Sequence, residues 1–157
     1  MPTHPQMPVL AAMLLPETYP HPVSTITVQD THISRVFLTG RWAYKIKKAV
    51  DFGFLDFSTP ARRLFFCRRE VELNRRLTHG VYAEVVAVCR QNEGYRIDGA
   101  GVPVEYAVRM RQLSDRDTLS ARLQRGAIAA PQIVQLVKYL LAFYAARTRV
   151  SATAKTD

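Results

Sequence analysis

Residues 41–47, Arg-Trp-Ala-Tyr-Lys-Ile-Lys, constrain the fold of this chain more than any other stretch. As a β-strand they send Trp42, Tyr44 and Ile46 to one face and Ala43, Lys45 and Lys47 to the other. The first face suits a hydrophobic core. The second places two ammonium groups in line with a small residue. Just upstream, Thr39-Gly40 is a turn signal, and residues 35–38 form an apolar run before it. The two runs read as an antiparallel hairpin, with the β-branched residues 25–28 as a third strand.

Downstream the pattern changes period. Ser58-Thr59-Pro60 is a helix start, with Thr59 as cap and Pro60 in the first turn, and the helix is expected from about Pro60 to Leu77, stopping before Gly80. Residues 85–89 are β-branched, residues 91–102 read as a polar, glycine-containing hairpin loop, and residues 103–110 alternate as another strand. A short helix over 118–124 ends at Gly126. A longer one over 131–147 repeats Ile133, Val134, Val137, Leu140, Leu141 and Tyr144 at helical spacing. Six prolines within residues 1–22 predict an extended arm in which only residues 9–15 could coil into a short helix. The expected class is α+β. The expected divisions are an arm over 1–22, a sheet-and-helix lobe over 23–113, a helical part over 114–150 and a frayed tail over 151–157.

Composition narrows the functional classes. Apolar residues make up 48% of the 157, enough for a core, which argues against wholesale disorder. No apolar run approaches the ~20 residues that span a bilayer. Met1–Met7 lacks the basic flank of a secretion signal, so Cys67 and Cys89 are expected as buried thiols in a cytoplasmic protein. The four histidines are scattered away from both cysteines, so no metal ligand set is expected. Lys and Arg number 22 against 13 acids, a net charge of +9. That excess fits a polyanion partner, a solvated basic face, or a piece of a longer chain whose acidic part is missing.

Chemistry concentrates around Lys45. A small residue two positions before a strand lysine, Ala43-Tyr44-Lys45, matches the layout of the protein-kinase V-A-I-K strand, where the alanine leaves room for adenine and the lysine meets the α- and β-phosphates. On the next helix Phe66, Leu73 and Leu77 recur as an apolar stripe, and the position that completes it is Glu70. A carboxylate on a core-facing stripe needs a positive partner. Lys45 is the natural one, with Arg62 or Arg63 as the alternatives.

Longer motifs surround these residues: Thr31-His32-Ile33-Ser34-Arg35-Val36-Phe37-Leu38-Thr39-Gly40, Tyr44-Lys45-Ile46-Lys47-Lys48 and Phe52-Gly53-Phe54-Leu55-Asp56-Phe57-Ser58. Glu70-Val71-Glu72-Leu73-Asn74-Arg75-Arg76-Leu77 and Val104-Glu105-Tyr106-Ala107-Val108-Arg109-Met110 follow. Over about residues 14–146 the chain resembles bacterial aminoglycoside-phosphotransferase-like proteins, specifically the branch often fused to a separate P-loop ATP-binding domain. The resemblance implies a protein-kinase-like small lobe, an antiparallel sheet with one main helix, followed by the first two helices of an incomplete large lobe. It implies ATP, as Mg-ATP, for the ligand. Lys45, Glu70 and Ala43 would line its site, Ser34 would lie in the phosphate-covering loop, and residues 110–113, starting at Met110, would form the hinge that meets adenine.

The chain departs from that pattern in three places. Thr31–Ser34 lacks the glycines of G-x-G-x-x-G. No histidine follows His79, and after residue 147 the one carboxylate is Asp157, so the His-Gly-Asp-type loop and the metal-binding acid of phosphoryl transfer are missing. The long helix has Ala142-Phe143-Tyr144 where the family pattern has Ala-Phe-His. The expectation is therefore a nucleotide-binding lobe that is inactive alone: a fragment, a truncated product or a surviving binding remnant. Its helix over 131–147 is expected to expose an apolar patch around Leu136, Leu140 and Phe143, suited to a missing large lobe or another subunit. Two alternatives stand beside this reading. One is a basic nucleic-acid module using Arg62, Arg63, Arg68, Arg69, Arg75 and Arg76, which is less favoured because no recognition motif accompanies them. The other is a regulatory or interaction remnant.

Overall fold

A computed structural model describes residues 5–92 and 94–153, with side chains described as far as residue 146. The chain divides into two compact units, Met1–Gln112 and Leu113–Asp157. The class is α+β: among the described residues six antiparallel strands form one curled sheet, accompanied by four helices.

In the first unit, helix α1 (Met7–Ala12) and a 3-10 turn (Pro16–Thr18) precede strands β1 (Thr27–Asp30), β2 (Ser34–Leu38) and β3 (Trp42–Lys47). Helix α2 (Pro60–Arg75) follows, then β4 (Tyr82–Gln91), β5 (Gly94–Ile97) and β6 (Val102–Arg111). The sheet order is β1-β2-β3-β6-β4-β5, so the last strand lies in the middle, between β3 and β4. The β2–β3 hairpin turns at Gly40, whose φ of 93° favours glycine. Thr59 caps α2 by accepting a hydrogen bond from the Arg62 amide, with Pro60 in the first turn, as its sequence predicts.

The main core lies on the Tyr44/Ile46 side of β3. Phe37, Tyr44, Ile46, Val86, Val88, Ile97 and Ala107 pack there with Val9, Leu10 and Met13 of the α1 segment and with Tyr19. The stretch from Val9 to Tyr19 is therefore part of this core rather than an extended arm. Proline explains the reversal. Pro8 and Pro16 stand at the starts of helical turns, where a fixed φ and a missing N–H do no harm. Side chains then lock the segment: Thr18 donates to the Ala12 carbonyl and Tyr19 to the Met13 carbonyl, each at 2.6 Å.

The expected loop over 91–102 also needs correction, because β5 lies within it. Asn92, at φ 47°, turns the chain so that Gln91 pairs with Gly94 and Val88 with Ile97. Four residues are too short for alternation to stand out in a polar stretch.

The second unit holds a 3-10 turn (Asp115–Asp117), α3 (Leu119–Gln124, capped by Thr118) and α4 (Ala130–Thr153). Of the tail expected to fray, residues 154–157 lie outside the described residues. Leu136 and Leu140 of α4 are exposed, as expected, and Phe143 is half-buried. Among the described residues, no helix is long and apolar enough to cross a membrane.

Candidate functional site

Strand β3 delivers Lys45 and Lys47 to the same side of the sheet, and α2 meets them there. The Glu70 carboxylate receives Lys45 Nζ on Oε1 at 2.8 Å and Lys47 Nζ on Oε2 at 2.6 Å. Burial alone pushes the Glu70 carboxyl up, but the two lysine hydrogen bonds more than reverse that and hold it below its ordinary value. The two lysines differ in setting. The Lys45 side chain keeps 26% of its exposure and that of Lys47 only 6%, with the Lys47 ammonium 4.9 Å from the centre of the Phe57 ring.

The Lys45–Glu70 contact matches the sequence expectation, and the helix stripe that suggested it matches in part. The buried α2 residues are Arg63, Cys67 and Val71, with Glu70 and Asn74 half-buried, whereas Leu73 and Phe65 are exposed. Cys67 and Val71 pack against Val108, Tyr82, Val85 and Met110. This face of α2 meets lysines as well as apolar groups, so its inward side carries charge, and hydrophobic spacing alone finds its edge, where Phe66 and Leu77 are half-buried, rather than its centre. Glu70 points inward in either phase, because it lies one turn from Cys67 and Asn74.

The other candidates sit on the same ladder. Ala43 is buried directly opposite Met110 on β6, Lys45 is opposite Val108 and Val36, and Ser34 is opposite Lys47. Directly opposed residues share a face, so Ala43, Lys45, Lys47, Met110 and Ser34 belong to the Glu70 side. Ser34 is not open: it is fully buried, and its Oγ has no hydrogen-bond partner among the described residues. Its backbone closes a tight turn with Thr31, whose hydroxyl donates to the Ser34 carbonyl and accepts from the Ser34 amide. Beyond Met110, the amides of Arg111 and Gln112 are engaged by the carbonyls of Val81 and Arg41.

A second buried ionic cluster escaped the sequence reading. Glu105 of β6, 1% exposed, accepts two bonds from Arg63 Nε and a third, at 2.8 Å, from the same guanidinium. Arg63 also donates to the carbonyls of Phe57 and Ser58. Gln6 completes the cluster, donating to Glu105 and to the Lys47 carbonyl at 2.7 Å and accepting from the Ala49 amide. Its groups are mutually satisfied, so it joins α1, β3, α2 and β6 rather than offering a ligand site.

The proposed arginine face is altered by this. Arg63 is buried, Arg62 pairs with Asp56, and Arg69 and Arg76 both pair with Glu72. Arg75 donates to the carbonyls of Tyr82 and Ala83. The six arginines do not form one array. Both cysteines are buried and free, and burial pushes the Cys67 thiol up to about 12 and raises that of Cys89. Neither is a ready nucleophile. Among the described residues, no group of three or more Asp, Glu, His or Cys side chains could hold a metal ion.

Compared with known proteins, the chain matches no family model, no curated protein and no solved structure.

Proposed function

We propose that residues up to Gln112 form the nucleotide-binding lobe of an aminoglycoside-phosphotransferase-like small-molecule kinase homologue, with Mg-ATP as ligand and binding as its activity. The observation that carries this reading is the Lys45–Glu70 ion pair at 2.8 Å, made between the third strand and the helix that follows it. Protein kinases join a strand lysine to a helix glutamate in the same order along the chain. The sheet order supports it too, since β6 lies beside β3 and ends within residues 110–113.

The residues fit an anionic group. One carboxylate faces two ammoniums, so the cluster carries a formal surplus of one positive charge, and the unpartnered Ser34 hydroxyl lies on the same side. Lys45, the more exposed lysine, would meet the phosphates. Glu70 would hold it beside the site until a ligand arrives, and Ala43 would leave room for the base. Mg-ATP, when bound, supplies the phosphoryl group; this chain's own residues bind and orient it. The exposed apolar surface of α4 would serve a further lobe or another subunit.

Titration calorimetry with Mg-ATP tests the reading. Binding is expected, and Lys45→Met is expected to weaken it at least tenfold, the scale of one charge-assisted hydrogen bond. Absence of heat from the unaltered protein, or equal binding by the variant, overturns it.

A further inference from the structure

The Glu70 carboxylate has two lysine partners where a strand–helix clamp of the proposed kind needs one, and they are not equivalent. We propose that Lys47 is the positioning residue that anchors Glu70, leaving Lys45 free to turn from the carboxylate toward an anionic ligand. This rests on the nucleotide reading above and assigns separate tasks to the two lysines.

The geometry separates them in three ways. First, Lys47 is the drier, at 6% side-chain exposure against 26%, and makes the shorter contact, 2.6 Å against 2.8 Å. A pair withdrawn from water is screened less and held more firmly. Second, Lys47 is fixed at both ends. Its ammonium lies near the Phe57 ring, and its carbonyl accepts from Gln6, which Glu105 holds in turn. Third, the lysines take different carboxylate oxygens, so Lys45 can leave Oε1 without freeing Oε2. A clamp with Lys45 alone would leave Glu70, on a half-buried helix face, without a counter-charge whenever Lys45 turned to a ligand, a costly state. Lys47 removes that penalty.

The titratable groups that interact with Glu70 are Lys45 and Lys47 on β3, Cys67 on α2 and Tyr82 on β4, while Glu105 on β6 reaches the same Cys67 thiol. Of these, Lys45 and Lys47 donate hydrogen bonds to its carboxylate.

The test uses the full chain as wild type, Lys45→Met, Lys47→Met and Lys47→Arg, each checked for cooperative thermal unfolding. Carboxylate carbon-13 signals of labelled glutamate, with Glu70 assigned through Glu70→Gln, give its titration midpoint in each protein. The midpoint is expected to rise further in K47M than in K45M and to return toward wild type in K47R. Calorimetry is expected to show Mg-ATP binding about tenfold weaker in K47M, the worth of one charge-assisted hydrogen bond, with K47R recovering most of it. A Glu70 midpoint that rises as far in K45M as in K47M overturns the proposal, and so does unchanged Mg-ATP affinity in K47M. If wild-type protein binds no Mg-ATP, the nucleotide reading falls, while the order of the two midpoints still decides whether Lys47 is the anchor.

Discussion

The two units of this chain handle apolar and charged side chains in opposite ways. In Met1–Gln112, large apolar groups such as Phe37, Tyr44 and Ile46 are sealed in a core, and even charged groups, Arg63, Lys47 and Glu105, are buried and paired. In α4 of Leu113–Asp157, residues 130–146 carry a single charge, Lys138, yet Val134, Val137 and Leu141 are open to solvent, the last at 63%. An apolar stripe at helical spacing is ordinarily the face by which a helix packs. The first unit seals a core of its own, although Phe54 and Phe65 stay exposed on its surface. The second leaves large apolar side chains of its long helix open to solvent.

The largest expected effect probes the first half of this comparison. Glu105→Ala leaves the Arg63 guanidinium at 4% exposure without its carboxylate. Breaking a buried pair from one side typically costs ~3–5 kcal/mol, a large share of the ~5–15 kcal/mol that holds a domain together. Urea unfolding should show a much lower midpoint. The double variant Arg63→Met/Glu105→Met should recover part of the loss, because neither charge is then stranded. Wild-type stability in E105A would mean that the cluster is wet in solution and that the contrast between the units is shallower than drawn.

An intermediate effect concerns pH. Glu70 titrates below its ordinary value of 4.5 in the folded chain, so the unfolded chain takes up that proton more readily. The stabilisation is complete above the ordinary value and is lost as pH falls through the lower, folded one. Wild type and Glu70→Gln should therefore differ most near neutral pH, by ~1–3 kcal/mol for a lost charged hydrogen-bond pair, and converge well below pH 4.5. Asp30, lowered to about 2 by Arg35 and Lys48, is common to both proteins and drops out of the difference. Curves that stay parallel down to pH 3 would show that Glu70 is not the group responsible.

Legibility in the sequence followed interaction range. The β2–β3 hairpin and the α2 start could be read because Thr39-Gly40 and Thr59-Pro60 act on their immediate neighbours. Lys45 and Glu70, 25 positions apart, could be paired because a lone carboxylate on an inward helix face demands a cation. Lys47 went unassigned as the second partner, although its place on the Lys45 face was plain. Gln6 and Glu105 are 99 positions apart, and nothing local marks Gln6 as buried. Arg63, on a helix rich in arginine, reads as one more solvated charge until β6 brings Glu105 against it. The docking of α1 was hidden for a related reason: its prolines signal irregular backbone, and only the Tyr44 side of the sheet gives Val9, Leu10 and Met13 somewhere to go.

The smallest expected stability change tests the other half of the comparison. Leu136→Glu/Leu140→Glu places two carboxylates on a helix whose side chains at these positions are 39% and 37% exposed. Substitutions at exposed sites usually shift stability by no more than ~0.5 kcal/mol, and every core residue of the first unit precedes Arg111. The main unfolding transition should barely move. Surface behaviour should change far more. An exposed apolar face drives self-association and takes up hydrophobic dyes, so the wild type should bind such a dye and scatter as more than a monomer at high concentration, while the variant does neither. The two measurements together decide the matter. A transition that drops by several kcal/mol would mean that Leu136 and Leu140 are covered in solution and that α4 contributes to a core after all. An unmoved transition with no dye bound by wild type would mean that the face is exposed in dispersed patches too small to matter. Only an unmoved transition with dye binding lost leaves α4 as a helix built for a partner.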